Sequence, residues 1–356
     1  MGRGLPPAGY VSDPSLLMNI LVTGGAGYIG SHTCKALALA GHRPLAYDNL
    51  STGHRQLVRW GDLVRGDVLD TALLETTLRS HRIQGVIHFA ALSQVGESVA
   101  DPASYYRNNI AGTQSILDAM RGHGITDIVV SSTCAVYGLP ATVPISEDCP
   151  KNPVSPYGVT KALMESMLAD FGRAYGLRGI ALRYFNAAGC DPEGDTGELH
   201  EPETHLIPRV IMAARGDLPA LQVFGNDYPT PDGTCIRDYI HVSDLADAHV
   251  KALSLCRHSA GLLPLNLGAG QGFSVMEIIS AAQKVLNCPV PLEWRGRREG
   301  DPPTLVADAA RAAQALGWTP RLSSLDTIIA TAVAWYDSMP KAANGTRNSA
   351  KPRHAG

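Results

Sequence analysis

Tyr157 and Lys161 stand four residues apart in Ser155-Pro156-Tyr157-Gly158-Val159-Thr160-Lys161, and a helix through this stretch presents both side chains on one face. A phenol with a pKa of about 10 is a poor base at neutral pH, but an ammonium one turn away favours its ionised form. Such a pair can take a proton from a substrate hydroxyl and hand it back. The spacing by itself equally describes a surface pair, so a third group has to decide. Ser131-Ser132-Thr133 offers hydroxyls at the end of an apolar run over 127–131, where one of them can bridge substrate and phenol. Ser155 and Pro156, a capping residue followed by the residue suited to a first helical turn, read as the helix opening that aims Tyr157.

These groups meet only if strand and helix are neighbours in one layered fold. Apolar, β-rich runs at 19–23, 43–47, 85–89, 127–131 and 179–183 alternate with helix-like segments, the pattern of a parallel sheet with helices on both faces. The expected fold class is α/β, a Rossmann-type doubly wound parallel sheet with a smaller C-terminal substrate-binding region. Residues 1–17, rich in Gly and Pro, read as a flexible extension, and 18–186 as the nucleotide-binding unit. Gly/Pro/Asp-rich loops then take over, so 187–341 reads mainly as the substrate region, with some segments returning to the first unit, and 342–356 as a flexible tail.

The run at 19–23 ends in Thr23-Gly24-Gly25-Ala26-Gly27-Tyr28-Ile29-Gly30, before a helical stretch from Ser31 to Ala40 and a stopping Gly41. A glycine-rich turn between strand and helix lets the backbone approach a pyrophosphate, which the N–H groups and dipole of the helix N-terminus attract. Gly24, Gly27 and Gly30 carry that role, although any tight strand-to-helix turn also uses glycine. Asp48, eighteen residues after Gly30, adds an acceptor for an adenosine ribose that repels a 2′-phosphate, so NAD is expected over NADP. Asp67-Val68 is placed for the adenine, with a turn or helix cap as the plain alternative for Asp67.

Bulk properties narrow the partners. A chain of 356 residues with 45% hydrophobic content can bury a large core. Its 30 Lys+Arg against 33 Asp+Glu leave a net charge of −3 without a basic block, so neither nucleic acid nor an anionic membrane is expected as a partner. No window reaches the roughly 20 apolar residues that span a bilayer; a small soluble ligand and a cytoplasmic location are expected. The seven cysteines are dispersed without a C-x-x-C pair, and none of the twelve histidines shows H-E-x-x-H spacing. Reduced thiols and no metal are the expectation.

In this order, the glycine-rich turn, Asp48, the strand-end hydroxyls and Tyr157…Lys161 resemble the extended short-chain dehydrogenase/reductase family, and within it the 4-epimerases of UDP-glucose and UDP-galactose. The resemblance runs from about Met18 to Trp335 through TGGAGYIGSHT, DNLSTGH, HFAALSQVGES, SSTCAVYG, SPYGVTK, ALRYFNAAG, FGNDYPTPDGTCIRDYIHVSDLADAH and RREGDPP. It implies that Tyr157 is the acid/base, that Lys161 tunes it and holds the nicotinamide ribose, and that Thr133 completes a triad, with Ser132 the alternative. An NAD site is implied at Gly24, Gly27, Tyr28, Ile29, Gly30, Asp48, Asn49, Ser51, Asp67, Val68, Phe89, Ala90, Ala91, Asn108 and Tyr184, besides Tyr157 and Lys161. A UDP-sugar is implied at Thr133, Tyr157, Asn186, His205, Leu206, Gln222, Val223, Phe224, Arg237, Arg298 and Asp301. Arg237 and Arg298 suit the diphosphate as charge-assisted donors, and Asp301 a ribose hydroxyl. A homodimer pairing helices near 103–122 and 157–175 is also implied; the apolar spacing Leu163, Met164, Met167, Leu168, Phe171 fits it and fits a monomer core equally.

The two residues after Thr133 bear on the reaction. Related dehydratases place Asp-Glu in these positions to drive elimination, and related decarboxylases keep the Glu; here the pair is Cys134-Ala135. Without a second acid the site offers hydride transfer plus Tyr157 chemistry, which suits inversion at C4. Ser93 replaces a lysine of several relatives near the nicotinamide ribose, which points to looser cofactor retention, and His205 replaces an Asn at the mobile sugar side. Leu305 occupies the position that gates 2-acetamido sugars, being intermediate between an excluding aromatic and an admitting small residue. UDP-glucose/UDP-galactose is the first expectation, with UDP-GlcNAc/UDP-GalNAc or UDP-xylose/UDP-arabinose as alternatives. A net NAD-dependent dehydrogenase uses the same triad, and a catalytically silent NAD-binding scaffold would be expected to lose it.

Overall fold

The computed structural model describes residues 17–298 and 300–340; apart from Leu17, the expected extension at 1–17 lies outside the described residues, as does the tail at 342–356. β1 (Asn19–Thr23), α1 (Tyr28–Leu39), β2 (Arg43–Asp48), β3 (Asp62–Arg65), α2 (Thr71–Ser80) and β4 (Gly85–His88) come first. Then α3 (Val95–Ala100), α4 (Pro102–Tyr105), a π-helical turn at Tyr106–Ala111 and α5 (Gly112–Gly122) lead to β5 (Asp127–Thr133), and α6 (Pro156–Tyr175) leads to β6 (Arg178–Tyr184). Beyond it come β7 (Asn186–Ala188), α7 (Leu206–Arg215), β8 (Leu221–Phe224), β9 (Ile236–His241), α8 (Val242–Cys256) and β10 (Gly261–Leu267). The described chain closes with β11 (Gly272–Ser274), α9 (Val275–Leu286), β12 (Leu292–Arg295), β13 (Thr304–Leu305), α10 (Ala310–Leu316) and α11 (Leu325–Ser338).

Seven strands form one sheet in the order β10-β6-β5-β4-β1-β2-β3, parallel throughout. Period-two alternation fills both faces. Ile20 and Val22 point to the layer of α1 and α8, against Leu37, Leu245 and Leu253. Leu21, one residue on, joins Leu74 of α2, Ile116 of α5 and Leu168 of α6 on the other side. Because β1 lies between β2 and β4, the order reverses there, and the crevice at the C-terminal strand ends is where a doubly wound sheet binds ligands. β5 runs two residues beyond the expected 127–131, so Thr133 is its last residue. The sequence reading named no strand at 261–267, yet this segment returns as β10; Pro264 costs no ladder hydrogen bond on an edge strand.

A second core gathers Ile207 and Val210 of α7, Val223 of β8, Ile278 of α9 and Ile328 of α11. Its sheet has the order β11-β9-β13, with β7 also pairing β9, and β12 pairs β8 separately. β9 thus ties the segment that leaves β6 to the loop after β12. Among the described residues no helix is long and apolar enough to cross a membrane.

Candidate active site

Tyr157 sits in the first turn of α6. The Ser155 hydroxyl accepts from Gly158 N at 3.2 Å and Pro156 takes the first helical position, so the helix starts where the sequence marks it. Gly158 explains the close approach to β5: a Cβ there would come 2.6 Å from the Ala135 carbonyl oxygen. The Thr133 hydroxyl accepts from Ala135 N at 3.1 Å, capping the short turn Cys134–Tyr137, and it is the side chain whose proximity favours the ionised Tyr157 phenol. Ser132 is turned the other way and donates to Glu165 Oε1 at 2.7 Å. Thr133, not Ser132, is therefore the hydroxyl at the phenol.

Lys161 Nζ donates to the Ser131 carbonyl oxygen at 2.8 Å and lies 6.0 Å from the Tyr157 ring centre. Tyr184 donates to the Ser131 hydroxyl. Burial raises the Tyr157 phenol to about 12, against the Thr133 hydroxyl that lowers it. Burial also lowers the Lys161 ammonium to about 7, opposed by Glu165. Desolvation therefore sets the direction for both groups, rather than the mutual tuning of phenol and ammonium that the spacing suggests. Cys134 packs with Val136, Tyr137, Ile145 and Phe185, and burial pushes its thiol up to about 11. It is a poor second acid.

Most residues assigned to NAD stand at or just after the C-terminal ends of β1, β2, β3, β4 and β6, with Asn108 in the π-helical turn and Tyr157 and Lys161 on α6. Gly24 has φ +71° and a Cβ on it would come 2.8 Å from Ala90 N, which brings the glycine turn against Phe89-Ala90-Ala91 after β4. A Cβ on Gly30 would come 2.1 Å from the Gly24 carbonyl oxygen, so helix and turn touch. At Gly27, by contrast, the nearest atom would be Gly24 O at 3.3 Å; the turn is open on that side, as a cradle for a pyrophosphate must be. Gly25, not singled out from the sequence, is equally constrained, with Ala46 Cβ 2.8 Å from an added Cβ. Asp48 accepts from Ala26 N at 3.0 Å and Leu50 N at 2.8 Å, and burial raises its pKa against those bonds. It therefore shapes the turn as well as offering its remaining lone pairs. The residues present fit a dinucleotide.

Several assigned residues contribute differently from what their side chains suggest. The Tyr28 hydroxyl donates to Gly189 O, and Val68 is buried in the core beneath the sheet. Tyr28 and Ile29 stand at the first two positions of α1, so backbone N–H groups are what they offer. Asp67 binds Asn49 Nδ2 and Leu69 N, each at 2.9 Å, combining the turn reading with a link to Asn49, whose own Oδ1 receives Ser51 N. Asn108 lies in the π-helical turn and donates to Asn109 Oδ1 at 3.0 Å; Asn109 locks that turn to Leu92 and to Thr160 of α6.

The sugar-side residues come from the second core and its sheet. Asn186 opens β7, and His205 and Leu206 stand at the start of α7. Val223 is 1% exposed, leaving only its backbone for a ligand. Gln222 donates to Glu293 Oε2 at 3.3 Å. Arg237 forms an ion pair with Asp301, and Arg298 lies over the Phe224 ring at 4.0 Å. The β13–β9 register sets Leu305 beside Arg237, and Leu305 packs against the cluster containing Cys134. The gate position and the catalytic strand end are neighbours.

One constellation escaped the sequence reading. Glu165 receives Arg183 through both carboxylate oxygens, at 2.8 and 2.6 Å, besides Ser132, and Lys151 Nζ lies 3.3 Å away. It locks α6 to the ends of β5 and β6. The available signal was its spacing: Tyr157, Lys161 and Glu165 occupy successive turns of one face.

Comparisons with known proteins agree with this arrangement. The model of the "NAD dependent epimerase/dehydratase family" matches residues 20–268. A UDP-glucose 4-epimerase of Rhizobium leguminosarum bv. trifolii is 52% identical over 317 residues, 89% of this chain and 97% of that protein. The crystal structure of UDP-glucose 4-epimerase from Brucella ovis in complex with NAD is 56% identical with a TM-score of 0.87, covering 89% of this chain and 98% of that one. A Stenotrophomonas maltophila UDP-glucose 4-epimerase with bound NAD and formylated UDP-arabinopyranose is 40% identical with a TM-score of 0.88, covering 91% and 99%.

Proposed function

The chain belongs to the NAD dependent epimerase/dehydratase family, and from that premise we propose that it interconverts UDP-glucose and UDP-galactose by oxidation at C4, turning of the 4-keto sugar and re-reduction. The observation that carries this reading is the strand end at Thr133: a hydroxyl against the Tyr157 phenol, with a buried thiol and then an alanine in place of a second acid. NAD held by the glycine turn and Asp48 would supply a reversible hydride acceptor for C4, so no net oxidation would accompany the cycle. Tyr157 removes the 4′-OH proton and later restores it, Thr133 holds that hydroxyl in line, and Lys161 with the buried surroundings sets the proton affinity of the phenol. Arg237 and Arg298 hold the diphosphate about which the sugar turns, with Asp301 at the ribose.

The remaining assigned residues keep the roles that the resemblance implies: the C-terminal edge of the sheet for NAD, and Asn186, His205, Leu206, Gln222, Val223 and Phe224 for the UDP-sugar. The proposed division is 18–186 for the cofactor and mainly 187–341 for the sugar nucleotide. A cytoplasmic homodimer completes the reading.

Conversion of UDP-galactose to UDP-glucose by the purified protein, without added NAD and without accumulating NADH, is the expected result. Tyr157→Phe should lose activity by about 10²–10⁴-fold, the range of a removed acid/base, while retaining NAD and fold. An active variant, or stoichiometric NADH, would refute the assignment. Leu305, placed beside Arg237 and intermediate in size, favours 2-acetamido UDP-sugars as a second reading for specificity, and since a pocket discriminates a missing CH₂OH by only about 1–3 kcal/mol, UDP-pentoses are to be tested beside them.

A further inference from the structure

The segment between β7 and α7 gathers two carboxylates and two imidazoles. Glu198, His200, Glu203 and His205 bring one ligand-capable atom each to within 4.8 Å of one another. His200 Nδ1 lies 3.2 Å from Glu198 Oε1 and 3.6 Å from Glu203 Oε2, and His205 Nδ1 lies 2.9 Å from Glu198 Oε1 and 3.0 Å from Glu203 Oε1. A tetrahedral zinc site with bonds of about 2.0–2.1 Å has ligand–ligand edges of about 3.3 Å. The Glu198 Oε1 edges, 3.2 Å to His200 and 2.9 Å to His205, lie near that figure, whereas Glu203 faces His205 through Oε1 and His200 through Oε2.

Two buried carboxylates require two positive charges, either as a proton on each imidazole or as one divalent ion. Hydrogen-bond geometry divides the cluster: His205 Nδ1 hydrogen-bonds Glu203 Oε1 at 3.0 Å, and the same oxygen accepts from His205 N at 2.8 Å. Glu198 Oε1 and His200 Nδ1 are buried and make no hydrogen bond, although they are only 3.2 Å apart. That pair of buried polar atoms is close yet not joined by a hydrogen bond, which leaves both free to share an ion. Glu198 is 9% exposed, and the two imidazole centres are 4.9 Å apart, where two cationic rings repel. The surrounding backbone is clamped. Trp335 Nε1 donates to Glu198 O at 3.0 Å, Arg209 Nη1 donates to Glu203 O at 3.1 Å, and a Cβ on Gly197 would come 2.3 Å from the Trp335 ring.

We propose that Glu198, His200, Glu203 and His205 bind one divalent transition-metal ion of the zinc class, as a clip that fixes the segment leading into α7. Mixed imidazole and carboxylate donors suit zinc rather than the all-oxygen shells of Ca²⁺ or Mg²⁺. Both imidazoles bind neutral, so the ion balances the two carboxylates. Coordination through Nδ1 leaves His205 Nε2 as a fixed N–H donor. Only the use of that donor toward a UDP-sugar rests on the function proposed above; the metal site itself does not. The E-x-H-x-x-E-x-H spacing lies outside the H-E-x-x-H pattern sought in the sequence, where no metal was expected.

The full-length protein with its NAD, stripped by dialysis against a chelator, is titrated with Zn²⁺ by calorimetry and with Co²⁺ by visible absorption, in the absence of sugar nucleotide. One ion per chain with a Kd at or below about 1 µM, intense tetrahedral Co²⁺ bands and a Tm raised by Zn²⁺ are expected. His200→Gln should weaken Zn²⁺ binding at least about tenfold, the loss typical of a removed ligand contact or more, with the Tm of the stripped protein unchanged. Glu198→Gln is read in the same way should His200→Gln not fold, and the wild-type Co²⁺ spectrum decides should neither fold. Absence of stoichiometric uptake, weak octahedral Co²⁺ bands, or unchanged affinity in a folded variant overturns the proposal in favour of protonated imidazoles. Epimerase activity is not the readout, so loss of the functional reading leaves this test standing.

Discussion

Leu305 is the residue on which specificity turns, because its strand register sets it beside Arg237 while its side chain packs toward Cys134 and the catalytic strand end. A side chain there borders the sugar under the proposed function. Removing its bulk by Leu305→Gly should raise kcat/KM for 2-acetamido UDP-sugars relative to UDP-galactose by about 10- to 100-fold, the range of one or two methylene-sized contacts. Leu305→Tyr should lower the same ratio. Parallel assays with hexose, 2-acetamido-hexose and pentose UDP-sugars measure it; ratios unmoved in both variants would remove Leu305 from specificity. Tyr157 and Lys161 show the opposite kind of residue, where identity and spacing are plain but the energetics are not. Burial drives the phenol up and the ammonium down, and that depends on the packing of α6 against β5, which no spacing in the sequence expresses.

At the scale of elements, α6 is the part that positions the chemistry, and Glu165 is what holds it. Burial raises the Glu165 carboxyl, but the hydrogen bonds and charge of Arg183, with Ser132 and Lys151, outweigh that and hold it below the ordinary glutamate value. Arg183 is 3% exposed, so Glu165→Gln leaves a buried guanidinium without a counter-charge and should cost about 3–5 kcal/mol of unfolding free energy. The depressed pKa sets the sign with pH: the contribution stands above the unfolded glutamate value and is lost as pH falls through the lower folded one. Chemical unfolding across that acidic window should show wild type losing its advantage over the variant; a constant difference would refute the account. The glycine turn, five strands and the Tyr157-to-Lys161 face were legible because each is a local pattern of spacing. Glu165, Arg183 and Ser132 were not, since their meeting depends on β5 and β6 being adjacent, and β10 was hidden by a proline that only an edge strand tolerates. The His/Glu cluster before α7 likewise obeys no local metal pattern; it is assembled by a segment clamped between Trp335 and Arg209.

For the whole molecule, the apolar stripe of α6 divides in a way that bears on assembly. Met164 and Leu168 are buried within the chain, whereas Leu163 remains 42% exposed. Val95 and Val99 of α3 and Tyr106 of the π-helical turn are exposed as well, and both elements pack beside α6. The chain's own core therefore takes Met164 and Leu168 and, partly, Met167 and Phe171, and leaves Leu163 with Val95, Val99 and Tyr106 as the edge of an apolar surface. The proposed homodimer covers it, with α6 meeting its counterpart about a two-fold axis. In such an isologous contact each substitution enters twice, so Leu163→Asp places two carboxylates at one apolar seam. Light scattering on the full-length protein should give a dimer mass for wild type and a monomer mass for Leu163→Asp at the same micromolar concentration. Thr133, Tyr157 and Lys161 all come from one chain, so the monomeric variant should still convert UDP-galactose, which separates loss of the interface from loss of the fold. A monomeric wild type would remove the dimer, and a dimeric variant would move its seam away from α6.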